Sequence, residues 1–144
     1  MKLNIKRFNE LNVDVLYKIL KLRVDVFVVE QNCPYPEIDN LDQDAIHIWI
    51  EEDGDIAAYL RILDRGVESE YVSIGRVITT KRGKGYGKRI LEEGIHVAQK
   101  ELQADKIYLE AQVYAIGFYE KCGFKVVSEQ FIMDGIPHVK MLKY

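Results

Sequence analysis

Apolar positions along this chain switch between a period of two and a period near 3.6, and the switches mark the predicted elements. Leu3 to Arg7 predicts a short first strand, and Asn12 suits the N-cap of a helix burying Val15, Leu16, Ile19, Leu22 and Val26 and running to about Val29. Pro34 and Pro36 break the backbone, and Asp39 to Asp44 reads as a solvated acidic connection. Ile46 to Glu51 and Ile56 to Leu63 flank Glu52-Asp53-Gly54-Asp55, whose Asp-Gly predicts a hairpin, and Val72 to Thr79 continues the antiparallel run. Ile90, Leu91, Gly94, Ile95, Ala98 and Leu102 recur at helical spacing and predict a helix from about Gly85 to Leu102. Ile107 to Gln112 is a strand, Ala115 to Cys122 a short helix ended by Gly123, and Phe124 to Ser128 and Ile136 to Leu142 are two closing strands. The predicted order is β-α-βββ-α-β-α-ββ, an α/β (α+β) arrangement.

A length of 144 residues fits one domain, 1–144, and a chain 48% hydrophobic and 30% charged has the composition of a packed protein. The net charge of -3 argues against a general nucleic-acid binder, so any anion site must be local. Met1 to Lys21 interleaves Lys2, Lys6, Arg7, Glu10 and Asp14 with its apolar residues, which leaves no signal-peptide core. With no uncharged run long enough to span a bilayer, the expected location is cytoplasmic, away from membranes. Cys33 and Cys122 form no CxxC pair and read as reduced thiols, and three scattered histidines show no metal-ligand spacing.

The candidate chemistry lies where the strand ending at Thr79 meets Arg82-Gly83-Lys84-Gly85-Tyr86-Gly87-Lys88. Glycines at 83, 85 and 87 let the backbone approach a ligand closely, and a turn that opens a helix aims unpaired N–H groups and the positive end of the helix dipole at an anion. Lys81, Arg82, Lys84, Lys88 and Arg89 add charge. The same features also fit a tight connection with a solvated basic face. A Walker A loop is excluded, because Arg82 stands where its first glycine should and Arg89 where Ser or Thr should. A dinucleotide fingerprint is excluded too, since the third glycine comes one position early behind antiparallel strands.

Val77 to Leu91, with Arg82-x-x-Gly85-x-Gly87, resembles the acetyl-CoA-binding motif of the GNAT N-acetyltransferase superfamily, and Ala115 to Phe124 resembles its second signature, a Tyr helix before Gly-Phe. Arg23 to Gln31, Ala111-Gln112 and Asp134-Gly135-Ile136-Pro137-His138 are similar to the ElaA-like branch. The resemblance implies the GNAT fold, a mixed central sheet flanked by helices. It also implies transfer of an acetyl group from acetyl-CoA to the amine of a small molecule or peptide in a ternary complex. Under it the diphosphate rests on main-chain amides from Arg82 through Gly83, Lys84, Gly85, Tyr86 and Gly87 to Lys88, and Arg76, Val77 and Ile78 offer backbone groups to the pantetheine and thioester carbonyl.

Tyr119 is implied at the leaving sulfur and Glu110 as the general base. Strand alternation alone leaves Glu110 open to a second reading, a surface carboxylate beside Tyr108 and Gln112. Gln112 stands where many members place an Asn from a longer loop, so its cofactor contact departs from the family pattern. Arg23, Glu30 and His138 are the expected acceptor contacts, and His47 lies in another segment typical of the branch. A homodimer is one assembly open to such a chain. The alternative function is a noncatalytic acyl-CoA sensor, which needs the glycine loop but not Tyr119; a third, an interaction protein using the basic loop for nucleic acid, is disfavoured by the net charge, and acyl-homoserine-lactone synthesis uses the same fold with less resemblance.

Overall fold

The alternation of side chains along two central strands sets the layers. In the computed structural model, which describes residues 1–144, β2 (Ile46–Glu52) and β3 (Asp55–Leu63) turn Ile48, Ile50, Leu60 and Ile62 to one face and Trp49 and Tyr59 to the other. The first set packs with Ile90, Leu91 and Ala98 of α2 (Tyr86–Leu102), the second with Ile19 of α1 (Val13–Val24). Gly94 lets α2 lie close on the sheet, since a Cβ there would stand 2.9 Å from Leu60 Cδ2.

The remaining elements are β1 (Lys2–Arg7), β4 (Val72–Thr79), β5 (Ile107–Gln112), α3 (Ile116–Glu120), β6 (Lys125–Val126), β7 (Phe131–Met133) and β8 (Ile136–Lys143). Sheet order is β1-β2-β3-β4-β5-β8-β6, with β7 paired to β8 on the same edge as β6. Every pairing is antiparallel except β4 with β5. The mixed sheet flanked by helices is thus the predicted fold class.

Most predicted elements stand within a residue or two of their expected bounds. Asn12 caps α1, its side chain accepting from Val15 N–H at 2.8 Å. Gly123, at φ 94, ends α3, with Phe124 N–H returning to the Tyr119 carbonyl.

Three expectations fail. The first helix does not run regularly to Val29: past Val24 the backbone widens over Asp25–Glu30, where the Val28 carbonyl accepts from Cys33 N–H. The stretch from Asp39 to Asp44 is not wholly solvated, for Asp42 is buried and Asp39 half-buried, and Glu37 just before it is buried too. The last region has an additional strand, because Asp134 (φ 52) and Gly135 (φ 77) make the two-residue turn that joins β7 to β8.

Candidate active site

β4 and β5 are in register only at Val72 with Ile107 and Ser73 with Tyr108; beyond that point they part. The gap is a cleft of about 330 Å³ lined by Gly75, Arg76 and Val77 from β4 and by Glu110 and Gln112 from β5. Tyr119 and His138 line it as well, so six of the predicted site residues, Arg76, Val77, Glu110, Gln112, Tyr119 and His138, meet at one place.

The β4 wall is irregular. Between the partners Tyr59–Ile78 and Arg61–Gly75, β3 advances two residues and β4 three, so β4 carries one extra residue as a bulge. Arg76 there has φ 55, a left-handed conformation that costs a residue with a long side chain about 1 kcal/mol or more. Its side chain is tied down on one side of the cleft. Nε donates to Glu37 Oε2 at 2.6 Å, and the guanidinium lies 6.0 and 5.7 Å from the ring centres of Phe27 and Tyr35.

Tyr119 is held by Phe118 and Phe124, both edge-on at centroid distances of 5.2 and 6.1 Å. Burial pushes its hydroxyl pKa up, so the phenol keeps its proton across the neutral range. Glu110 accepts from the Tyr108 hydroxyl at 2.8 Å, and Gln112 donates to Gln31 at 3.2 Å. His138 is buried against Phe131, and its Nδ1 meets the Ile136 carbonyl at 2.7 Å; because a carbonyl only accepts, Nδ1 carries a proton there.

The glycine loop stands at the far end of β4, outside the cleft lining. Gly83 (φ 81) and Gly85 (φ 72) are left-handed, with Gly85 as the N-cap of α2, so the first N–H groups of the helix have no intrahelical partner. Lys84 pairs with Glu52 at 2.5 Å, Lys88 with Glu92 at 3.8 Å and Arg89 with Glu93 at 3.5 Å. Arg82 is exposed and has no acidic partner within 4.0 Å. Left-handed glycines, open amides and an unpaired cation suit a diphosphate, so coenzyme A fits this end of the molecule.

Other expected contacts lie elsewhere. Arg23 is fully buried, bonded to Glu37 at 2.8 Å and Asp42 at 2.6 Å, which makes it a core counter-ion and not a groove residue. Glu30 is exposed and does not line the cleft. Ile78 is buried against α1, with its backbone in register with Tyr59. His47 is also buried: Nε2 meets the Asp42 carbonyl at 2.9 Å and therefore carries the proton, and Nδ1 accepts from the Tyr59 hydroxyl at 2.7 Å.

The structure adds Glu68, which the sequence reading passed over. The residue is exposed, yet its carboxylate turns in to accept from the hydroxyl of fully buried Ser73 at 3.3 Å, and it lines the cleft with Glu110. Burial and the Glu110 charge push its pKa up. Nothing in a Val-Glu-Ser-Glu stretch between two strands marks one carboxylate over the other.

A sheet parted between β4 and β5 beside a glycine-capped helix is the arrangement of an acyl-CoA-dependent acyltransferase, and the chain belongs to the GNAT acetyltransferase family: the acetyltransferase (GNAT) domain profile matches residues 18–144. Within it the chain is ElaA-like. Protein ElaA of Escherichia coli is 40% identical over 139 residues, covering 94% of this chain and 91% of its own length, and its crystal structure superposes with a TM-score of 0.93. A UPF0039 protein of Schizosaccharomyces pombe is 39% identical over 140 residues, 94% of this chain and 92% of that one. The crystal structure of an acyl-CoA N-acyltransferase from Pseudomonas aeruginosa, 37% identical, covers 99% of both chains at a TM-score of 0.92.

Proposed function

We propose that the protein transfers an acetyl group from acetyl-CoA to an amine, by direct attack of the amine on the thioester within the β4–β5 cleft. The observation that carries this reading is the convergence of Val77, Glu110 and Tyr119 on one cleft, at the end of a strand that leads into the glycine loop. The diphosphate would lie on the loop amides with Arg82, and the pantetheine along β4.

A primary amine is protonated at neutral pH, so its proton must leave before attack. In this reading Glu110, on the cleft wall, takes it. The amine nitrogen then forms a C–N bond to the carbonyl carbon, the C–S bond breaks, and the thiolate departs beside Tyr119. Even unperturbed, a phenol near pKa 10 giving its proton to a thiolate near 8.5 goes uphill by about 2 kcal/mol. Burial raises the phenol further, so Tyr119 stabilises the thiolate through a hydrogen bond and does not give up its proton. The attacking nitrogen loses a second proton as the amide forms, and that proton passes to the thiolate, so an ammonium ion and a thioester yield an amide, a thiol and one released proton.

Glu68, Glu110 and Asp134 line the cleft, while its two arginines, Arg61 and Arg76, are already paired with Asp39 and Glu37, which favours a cationic acceptor over an anionic one. The test is release of free thiol from acetyl-CoA across a library of amines. Tyr119→Phe and Gly85→Glu serve as controls for the leaving-group and donor sites. Tight coenzyme A binding with no thiol release on any amine would favour the sensor alternative.

A further inference from the structure

Arg76 stands apart among the residues with left-handed backbone. Asn32, Asn40, Asp53 and Asp134 are of the short polar types that tolerate this region, and Gln103 ends α2; Arg76 alone lies within a strand. The side chain of Arg76 is fastened at several points. Besides the Glu37 Oε2 bond, Nη2 reaches the Glu37 carbonyl and Asp39 Oδ2, both at 3.2 Å. Glu37 is in turn fixed: its side chain is only 2% exposed, Arg23 Nε donates to the same Oε2 at 2.8 Å, and the Tyr35 hydroxyl donates to Oε1. Asp39 is held by Arg61 at 2.5 Å. Three arginines and three carboxylates, Glu37, Asp39 and Asp42, thereby form one charge-balanced network joining α1, β3 and β4 through the segment between the first helix and β2.

We infer that Glu37 is a positioning residue: by holding the Arg76 side chain it keeps the β4 bulge left-handed, and so sets the direction in which the main chain of Val77 faces the cleft. The inference rests on the reading of that cleft as the thioester site. The bulge lines the cleft and the network does not reach the glycine loop, so the device acts on the reacting end of the donor and not on its diphosphate.

The test separates backbone from side chain at residue 76. Arg76→Ala removes the fastening and leaves a Cβ that disfavours positive φ, whereas Arg76→Gly removes the same fastening but adopts positive φ freely. Arg76→Ala is expected to lower kcat by about tenfold or more with coenzyme A affinity within about twofold, and Arg76→Gly to be at least about fivefold more active than Arg76→Ala. Glu37→Gln, which keeps the shape and drops the charge, should behave as Arg76→Ala does.

A second readout needs no turnover. The Val77 amide resonance in a ¹⁵N-labelled protein should move in Arg76→Ala and Glu37→Gln and stay near its wild-type position in Arg76→Gly. If it stays put in Arg76→Ala, or if Arg76→Gly moves it as far as Arg76→Ala does, the clamp is refuted. A wild-type protein that fails to bind coenzyme A would instead sink the acyltransferase reading, and the Val77 resonance would still decide the clamp.

Discussion

Gly87 and Phe118 bring the glycine loop and the Tyr119 helix close together: a Cβ on Gly87 would lie 3.5 Å from Phe118 Cε1 and Cζ and 3.0 Å from Thr79 Oγ1. Gly87→Ala sets two effects against each other. Alanine in the first turn of α2 gains about 1 kcal/mol of helix propensity, and overpacking costs about 1–3 kcal/mol. The net effect on stability should be a loss of no more than about 2 kcal/mol. Phe118 precedes Tyr119, so the displacement passes to Tyr119, and kcat should fall by roughly tenfold, more than coenzyme A affinity does, if Tyr119 attends the leaving thiolate as proposed. Isothermal titration with coenzyme A beside steady-state kinetics measures both, and an unchanged kcat would show that the two elements are not mechanically linked.

Tyr119→Phe keeps the ring that packs on Phe118 and Phe124 and removes only the hydroxyl. Coenzyme A binding and thermal stability should stay near wild type, while kcat drops by about 10²-fold, the lower end of what a positioned proton-bearing group contributes. Because burial raises the hydroxyl pKa, the activity of the native enzyme should show no alkaline limb from this residue below about pH 10. Turnover of the variant with a substrate bearing a better leaving thiol should recover, since such a thiolate needs less stabilisation.

How much of this was legible in the sequence divides along physical lines. Glycine spacing, the Asn12 cap and the period-two strands depend on neighbours in the chain, and they stood where expected. Arg23 was expected at the acceptor because its segment resembles the ElaA-like branch; its burial depends on Glu37 and Asp42, 14 and 19 residues away, which no local pattern reveals. Glu37 and Asp42 hid within an acidic run for the same reason. The β7–β8 turn is a different matter, since Asp134-Gly135 carries the same signal as Asp53-Gly54. It is harder to read because Phe131 to Met133 is only three residues long.

His47 and Asp39 predict how stability depends on acid. Burial holds the His47 pKa below its ordinary 6.5, helped by the Arg23 and Arg61 charges and opposed by Asp42. Between 6.5 and the lower native value the unfolded chain binds a proton that the fold refuses, so stability falls as pH drops through that window. Asp39 follows at lower pH. Burial acts to raise it, but the Arg61 hydrogen bond and the Arg61 and Arg76 charges hold it at about 2, so its contribution is present above about 4 and is lost as pH falls toward 2. Urea unfolding from pH 7 to 3 should show a first decline that His47→Gln abolishes and a second that it leaves intact. A single decline starting below pH 4.5 in the native protein would contradict the assignment to His47.

Glu68 carries the opposite sign. Its pKa is raised by burial and by Glu110, so the folded state binds its proton more tightly than the unfolded chain does. Stability is therefore lost as pH rises from the ordinary glutamate range through the native value, and at neutral pH the ionised group is a standing cost to the fold. Glu68→Gln should raise the melting temperature at pH 7 and lose that advantage below about pH 4.3. Glu110→Gln removes the second cause, so the ¹³C carboxyl titration of Glu68 should move to lower pH, while turnover falls by about 10²-fold if Glu110 takes the acceptor's proton. The two readouts are independent. A lowered Glu68 titration with full activity would keep the charge coupling and remove Glu110 as the base, whereas an unmoved titration would show that the two carboxylates are not coupled.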